Sequence, residues 1–154
     1  MTTFWEAIDV YAASDGERTK ALYDKLMTLG PRGLIALNLF RACKCSERAK
    51  VYRGRRYKAD AYDRKHRSMN NLCKELSAHA ESTGIVWGWK VDPTMSEDSP
   101  HRFVLYVEIP TGQISFHGPR GDGPDYAGEW DQATKSGPDR ICQWIGQLFE
   151  TVPA

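Results

Sequence analysis

Acid–base side chains concentrate in one short stretch of this chain, on the polar positions of an alternating pattern. They are Tyr106, Glu108 and His117. A histidine held by a carboxylate can act as a general acid or base near neutral pH. We therefore interpret these three residues as candidate catalytic residues.

Four carboxylates follow this stretch in a loop rich in glycine and proline. They are Asp122, Asp125, Glu129 and Asp131. Carboxylate oxygens are the usual ligands of Mg²⁺ and Ca²⁺, so these residues are candidate metal ligands. Together with the histidine they favour a metal-assisted nuclease or a related phosphodiester hydrolase, for which Mg²⁺ would be the cofactor.

A structural interpretation of the same residues stays open. The histidine can be a structural residue on an exposed hairpin face, and the acids can cap turns of the loop. The spacing of the carboxylates matches neither an EF-hand nor a phosphate-binding P-loop. Under this interpretation no cofactor is expected.

A basic segment is the second feature with chemical potential. Residues 41–67 contain eleven Lys and Arg against three Asp and Glu, whereas the rest of the chain contains ten against seventeen. Cations neutralise phosphates and tyrosines stack on exposed bases, so the mixture suits nucleic acid. The candidate nucleic-acid-binding residues are Arg48, Lys50, Tyr52, Arg53, Arg55, Arg56, Tyr57 and Lys58. This pattern predicts a partner that is nucleic acid or a nucleoprotein complex.

Two alternatives compete with nucleic-acid binding. The basic residues can form a solvated face, or they can pair with the acidic loop of the same molecule. The chain has no RNP motif, zinc finger or clear helix-turn-helix, so the signal is unspecific. A protein partner is a third hypothesis, in which residues 122–131 act as an acidic mimic and the chain is a protein-directed inhibitor.

The alternation from Arg102 to His117 predicts a β-hairpin that turns at Pro110, Thr111 and Gly112. A loop of three residues would pair Ile109 with Gln113. A loop of four residues would pair Ile109 with Ile114 and place every apolar side chain on one face, so we favour it. In that register Glu108 and His117 would be diagonal neighbours within reach of each other.

Helical periodicity dominates the rest of the chain, and one further strand precedes the hairpin. Capping signals and apolar spacing predict a short first helix, helices over residues 18–29 and 32–45, and a long helix from Asp60 to Gly84. Residues 85–91 read as a strand, and a last helix begins near Pro138. The fold class is α+β, with N-terminal helices packed on a small antiparallel sheet of about three strands and a C-terminal helix. We expect residues 1–154 to form a single domain.

Composition excludes several classes of protein. A hydrophobic share of 41% with 27% charged residues is typical of a globular chain, and no apolar run is long enough to cross a bilayer. The four cysteines contain no CxxC pair, which argues against a zinc finger. The N-terminus lacks the features of a secretory signal, so we expect a cytoplasmic protein without a membrane partner.

Four segments also carry a resemblance to known proteins. They are AKVYRG, WGWK, VLYVEIPTGQISFH and GPDYAGEWD. These segments resemble a group of small uncharacterised proteins encoded in bacterial genomes and prophages, from about residue 30 onward. The resemblance implies a mobile-element protein, including an inhibitor that binds host or defence nucleoprotein. It implies no activity and no catalytic residue.

Overall fold

The fold is α+β, as the sequence predicts. The computed structural model of the chain describes residues 4–13, 16–51, 59–128 and 137–150. In chain order the elements are α1 (Phe4–Ala12), α2 (Gly16–Met27), α3 (Pro31–Lys50), α4 (Ala59–Thr83), β1 (Val86–Val91), β2 (Phe103–Ile109), β3 (Gly112–Gly118) and α5 (Pro138–Glu150).

Helix boundaries follow local sequence signals. Gly30 has a φ of 73° and stands directly before Pro31, the first residue of α3. A positive φ costs glycine little, and proline is favoured at the first helical position because it has no N–H to leave unbonded. Gly84, with a φ of 74°, follows the end of α4 in the same way. The predicted stop and start signals at these three residues are confirmed.

The two longest helices form an antiparallel pair. α3 packs along α4, and the Ser68 hydroxyl of α4 donates a hydrogen bond to the Cys45 sulfur of α3 at 3.3 Å. Because only residues 51–58 connect the two helices, they must run in opposite directions. The C-terminal turns of α3 therefore lie beside the N-terminal turns of α4.

The sheet has the order β1-β2-β3 and is antiparallel throughout. One face carries Trp89, Leu105, Val107 and Phe116, which join buried helix residues in the main hydrophobic core. The helices thus cover one side of the sheet. Within the described residues, no helix is long and apolar enough to cross a membrane.

The hairpin register differs from both predicted registers. β2 and β3 are joined by a two-residue loop of Pro110 and Thr111, and Ile109 pairs with Gly112. This register also puts the apolar side chains on one face, because it differs from the four-residue loop by an even number of positions. Burial of the apolar face therefore cannot distinguish the two-residue loop from the four-residue loop. In the observed register, the turn also contacts a residue from outside the hairpin.

That contact comes from α5. The Thr111 hydroxyl donates to the Arg140 carbonyl at 2.5 Å, and the Arg140 guanidinium donates to the Gln113 carbonyl at 2.7 Å. A Cβ on Gly112 would lie 2.8 Å from the Arg140 side chain. The turn is thus clamped by a residue far along the chain, which the local pattern could not reveal.

The chain that leaves β3 wraps around the outer edge of β1; residues 119–126 are called the strap below. The Trp89 N–H donates to the Pro124 carbonyl and the Tyr126 N–H donates to the Trp89 carbonyl, both at 2.9 Å. The Trp89 indole N–H also donates to the Asp122 carbonyl at 3.2 Å. These bonds cover an edge that would otherwise expose unpaired backbone groups.

Candidate functional site

The observed register separates the residues predicted to act together. Glu108 lies opposite Gln113, Tyr106 lies opposite Ser115, and His117 lies opposite Val104. Glu108 and His117 are therefore not diagonal neighbours, and the predicted contact between them is wrong. The error has one physical cause, the shorter loop, which shifts β3 by two residues along β2.

Glu108 contacts a tyrosine of the strap instead. Tyr126 donates its hydroxyl hydrogen to a Glu108 carboxylate oxygen and accepts a hydrogen bond from the Gln113 side chain at 2.7 Å. Burial, followed by the Glu108 carboxylate, raises the pKa of Tyr126 to about 12. The phenol is therefore a neutral hydrogen-bond donor that fastens the strap to the hairpin.

Tyr106 is buried beneath the same strap residue. Its ring stacks on the Tyr126 ring with centroids 4.8 Å apart and an interplanar angle of 17°. Tyr106 is 0% exposed and Tyr126 is 4% exposed, and with Val104 they form a second small core. Tyr106 therefore has a packing role in this structure, because a fully buried phenol cannot reach a substrate.

His117 finds a carboxylate that the sequence did not single out. Its Nε2 lies 2.9 Å from Asp92 Oδ2, at the end of β1. The other Asp92 oxygen accepts hydrogen bonds from the Thr94 N–H at 2.8 Å and the Thr94 hydroxyl at 2.6 Å. Asp92 and His117 thus form an oriented pair of the acid–base type.

The Asp92 carboxyl is ionised at neutral pH. Its side chain is 8% exposed, and burial by itself would raise its pKa. The hydrogen bonds from Thr94 and His117 oppose burial and leave the pKa below its ordinary value. The His117 side chain is 36% exposed, so this pair lies at the surface of the sheet.

The predicted metal ligands are only partly described. Asp122 and Asp125 lie exposed on the strap, and Asp125 pairs with Arg120 at 3.0 Å. Glu129 and Asp131 lie outside the described residues. Among the residues that are described, no three or more side chains of ligand type come together as a metal site. Metal binding and acidic mimicry by residues 122–131 both stay predictions.

Described residues of the basic segment lie at one end of the α3–α4 pair. Tyr52, Arg53, Arg55, Arg56, Tyr57 and Lys58 lie outside the described residues. Arg48 and Lys50 lie in the last turns of α3, and Arg64 and Arg67 lie in the first turns of α4. All four are exposed. Since the helices are antiparallel and residues 45 and 68 are in contact, these four cations gather at the same end of the pair, called the basic end below.

The positive charge at the basic end changes the ionisation of its neighbours. Burial and then the Arg48 charge lower the pKa of Lys44, one turn earlier on α3. Lys50 pairs with Glu47 of its own helix at 3.2 Å. This pair links neighbouring turns of one helix and is exposed to solvent, so it contributes little to stability, while the Glu47 carboxylate offsets the charge of Lys50.

A pair of histidines beside the basic end was not expected to interact. The His66 and His101 rings lie 5.2 Å apart and are tilted by 30°, and the His66 Nε2 is buried without a hydrogen-bond partner among the described residues. Burial lowers the pKa of both histidines, and the nearby Lys65 charge lowers it further. Because the two residues are far apart in sequence, no local pattern could have revealed their contact.

These pKa shifts predict that stability falls on acidification. Each depressed histidine pKa means that the unfolded chain binds more protons than the folded chain below about pH 6.5. The stabilisation is complete above that pH and is lost as the pH falls toward the folded-state pKa. Urea unfolding should therefore show a lower midpoint at about pH 5 than at about pH 7.5.

The matched comparison uses two variants on the same helix. His66→Asn should weaken this pH dependence, whereas His79→Asn, a change farther along α4, should retain it. His79 lies 3.7 Å from Glu75 and is partly exposed. A midpoint in the unaltered protein that does not change over this range would contradict the account.

Comparison of the chain with protein-family models, with curated proteins and with solved structures finds no match.

Proposed function

We propose that this protein binds nucleic acid, or a complex that carries it, through the basic end of α3 and α4. The supporting observation is that Arg48, Lys50, Arg64 and Arg67 are exposed and lie at the same end of two antiparallel helices. Each guanidinium or ammonium group at such an end can neutralise a phosphate and release a counterion.

The helix pair gives these cations a rigid support. α3 buries ten residues along its length, and α4 buries seven. Side chains that project from such packed helices keep their spacing, so less conformational freedom is lost when they contact phosphates. In the sequence, residues 51–58 stand between the two helices and include four further cations of the basic segment.

Binding of labelled oligonucleotides tests this proposal. Fluorescence anisotropy with single-stranded and double-stranded DNA and RNA should show saturable binding that weakens steeply as salt rises from about 50 mM to about 200 mM. Affinity that persists undiminished at high salt would contradict it, and so would the absence of binding to all four probes at low salt.

A hydrolase is the second candidate, and the His117–Asp92 pair favours it. A buried, ionised carboxylate orients the imidazole of His117, which is the arrangement that general acid–base catalysis uses. This hydrolase would act on a phosphodiester substrate and would use Mg²⁺ as its cofactor. Tyr106 is not part of it because its side chain is buried.

Turnover of a phosphodiester reporter tests this second candidate. His117→Ala should lower kcat by about 100-fold or more, because the proton-transfer group is removed. The control is His79→Ala, which removes the histidine of another histidine–carboxylate contact on α4. Unchanged turnover in the His117 variant would exclude the hydrolase.

A further inference from the structure

A groove of about 930 Å³ runs between α4 and the strap, apart from the features discussed above. One wall is the exposed side of α4, and the other is the first part of the strap. The principal lining residues are Asn70, Cys73, Lys74, Ser77, Arg120 and Asp122. The groove is partly open to solvent.

The close approach of the two walls is set by a glycine. A Cβ on Gly121 would lie 3.2 Å from the Asn70 side-chain oxygen and 3.5 Å from the Trp89 ring. The strap is also bonded to β1 through the Trp89 indole N–H and the Asp122 carbonyl. The groove therefore has two fixed walls and does not depend on a loose loop.

Hydrogen-bond donors dominate the lining. Lys74 and Ser77 are exposed on α4, and Asn70 adds a side-chain amide. Opposite them, Arg120 contacts the Gly123 carbonyl at 3.2 Å and Asp125 at 3.0 Å, both through Nη2. In the part of the chain that the structure describes, these contacts leave the other guanidinium N–H groups available to an acceptor.

The buried thiol in the groove lining carries no negative charge. Cys73 is 4% exposed, and burial, followed by the Asp122 charge, raises the pKa of its thiol to about 12. The thiol is therefore neutral at physiological pH. Among the described residues that line the groove, Asp122 is the only carboxylate, against the two cations Lys74 and Arg120, and Arg120 also pairs with Asp125 at 3.0 Å.

We propose that this groove binds a phosphate group. A phosphate offers several acceptor oxygens, which suits an ammonium, a guanidinium, an amide and a hydroxyl on facing walls. The group could belong to a small phosphorylated molecule or to a nucleic-acid strand, and the two sources share this chemistry. The inference does not depend on binding at the basic end.

Two ligands and two variants test the inference by NMR with ¹⁵N-labelled protein. The ligands are inorganic pyrophosphate and a short single-stranded oligonucleotide. We expect saturable shifts at residues 70–78 and 120–122, and about tenfold weaker binding in Lys74→Gln, because a charge-assisted hydrogen bond is lost. The control, Lys20→Gln on exposed α2, should bind within about twofold of the unaltered protein.

The pattern of shifts separates the outcomes. Shifts in the groove with pyrophosphate support a small-molecule ligand, and shifts there with the oligonucleotide alone support a strand phosphate. If neither ligand shifts the groove residues, or if Lys74→Gln binds as tightly as Lys20→Gln, the inference is overturned. If pyrophosphate leaves the groove residues unshifted and the oligonucleotide shifts only residues near the basic end, this inference is overturned and the proposed function stands.

Discussion

Reversing two charges at the basic end should weaken oligonucleotide binding by about 100-fold at moderate salt, since each lost phosphate contact costs about one factor of ten. The change is the double variant Arg48→Glu and Arg67→Glu. Both side chains are exposed, one on each helix of the antiparallel pair. The measurement is the dissociation constant from fluorescence anisotropy.

The matched control has the same change of net charge at another place. Arg32 is exposed at the start of α3, sixteen residues before Arg48 on the same helix, and Lys20 is exposed on α2. At 1.5 Å per residue, Arg32 and Arg48 are separated by about 24 Å. The double variant Lys20→Glu and Arg32→Glu should therefore bind almost as the unaltered protein does. Equal losses in the two double variants would indicate a general effect of net charge, against the proposal.

Tyr126→Ala should be the most destabilising change on the strap, with a loss of about 3–5 kcal/mol in the free energy of unfolding. The side chain is 4% exposed, stacks on Tyr106 and bonds to Glu108 and Gln113. Its removal leaves a cavity beside Tyr106 and releases the strap from the outer face of the sheet. Urea unfolding measures the loss.

Tyr126→Phe separates the ring from the hydroxyl. The ring keeps its stacking on Tyr106, and only the hydrogen bonds to Glu108 and Gln113 are lost. We expect a loss of about 1–2 kcal/mol, the usual cost of side-chain hydrogen bonds. If the alanine variant were no less stable than the phenylalanine variant, the Tyr126 ring would contribute nothing to stability. That result would contradict the conclusion that its stacking on Tyr106 holds the strap on the sheet.

The helices and the strand facings could be predicted from the sequence because their signals are local. Pro31 and Gly84 mark helix ends through their own backbone preferences, and the alternating apolar residues of β2 indicate which side chains face the main core. The hairpin register could not be predicted, because registers two residues apart bury the same face and the turn is clamped by Arg140 of α5.

The partners of the polar residues depend on contacts between distant parts of the chain. His117 meets Asp92 because β3 and the end of β1 approach each other in the folded protein, whereas the sequence suggested the nearer carboxylate Glu108. The loop that carries the candidate metal ligands also contributes Tyr126, which bonds the strap to Glu108. The residue types indicated which segments carry polar side chains. Which of those side chains contact each other depends on the fold.

The salt dependence of binding tests the central proposal most directly. Neutral substitution of two proposed phosphate contacts, Arg48→Gln with Arg67→Gln, should reduce the slope of log K against log salt by about two, since each contact would release about one counterion. The control Arg32→Gln should leave the slope unchanged. A slope for the double variant equal to that of the unaltered protein would show that the basic end does not contact phosphates.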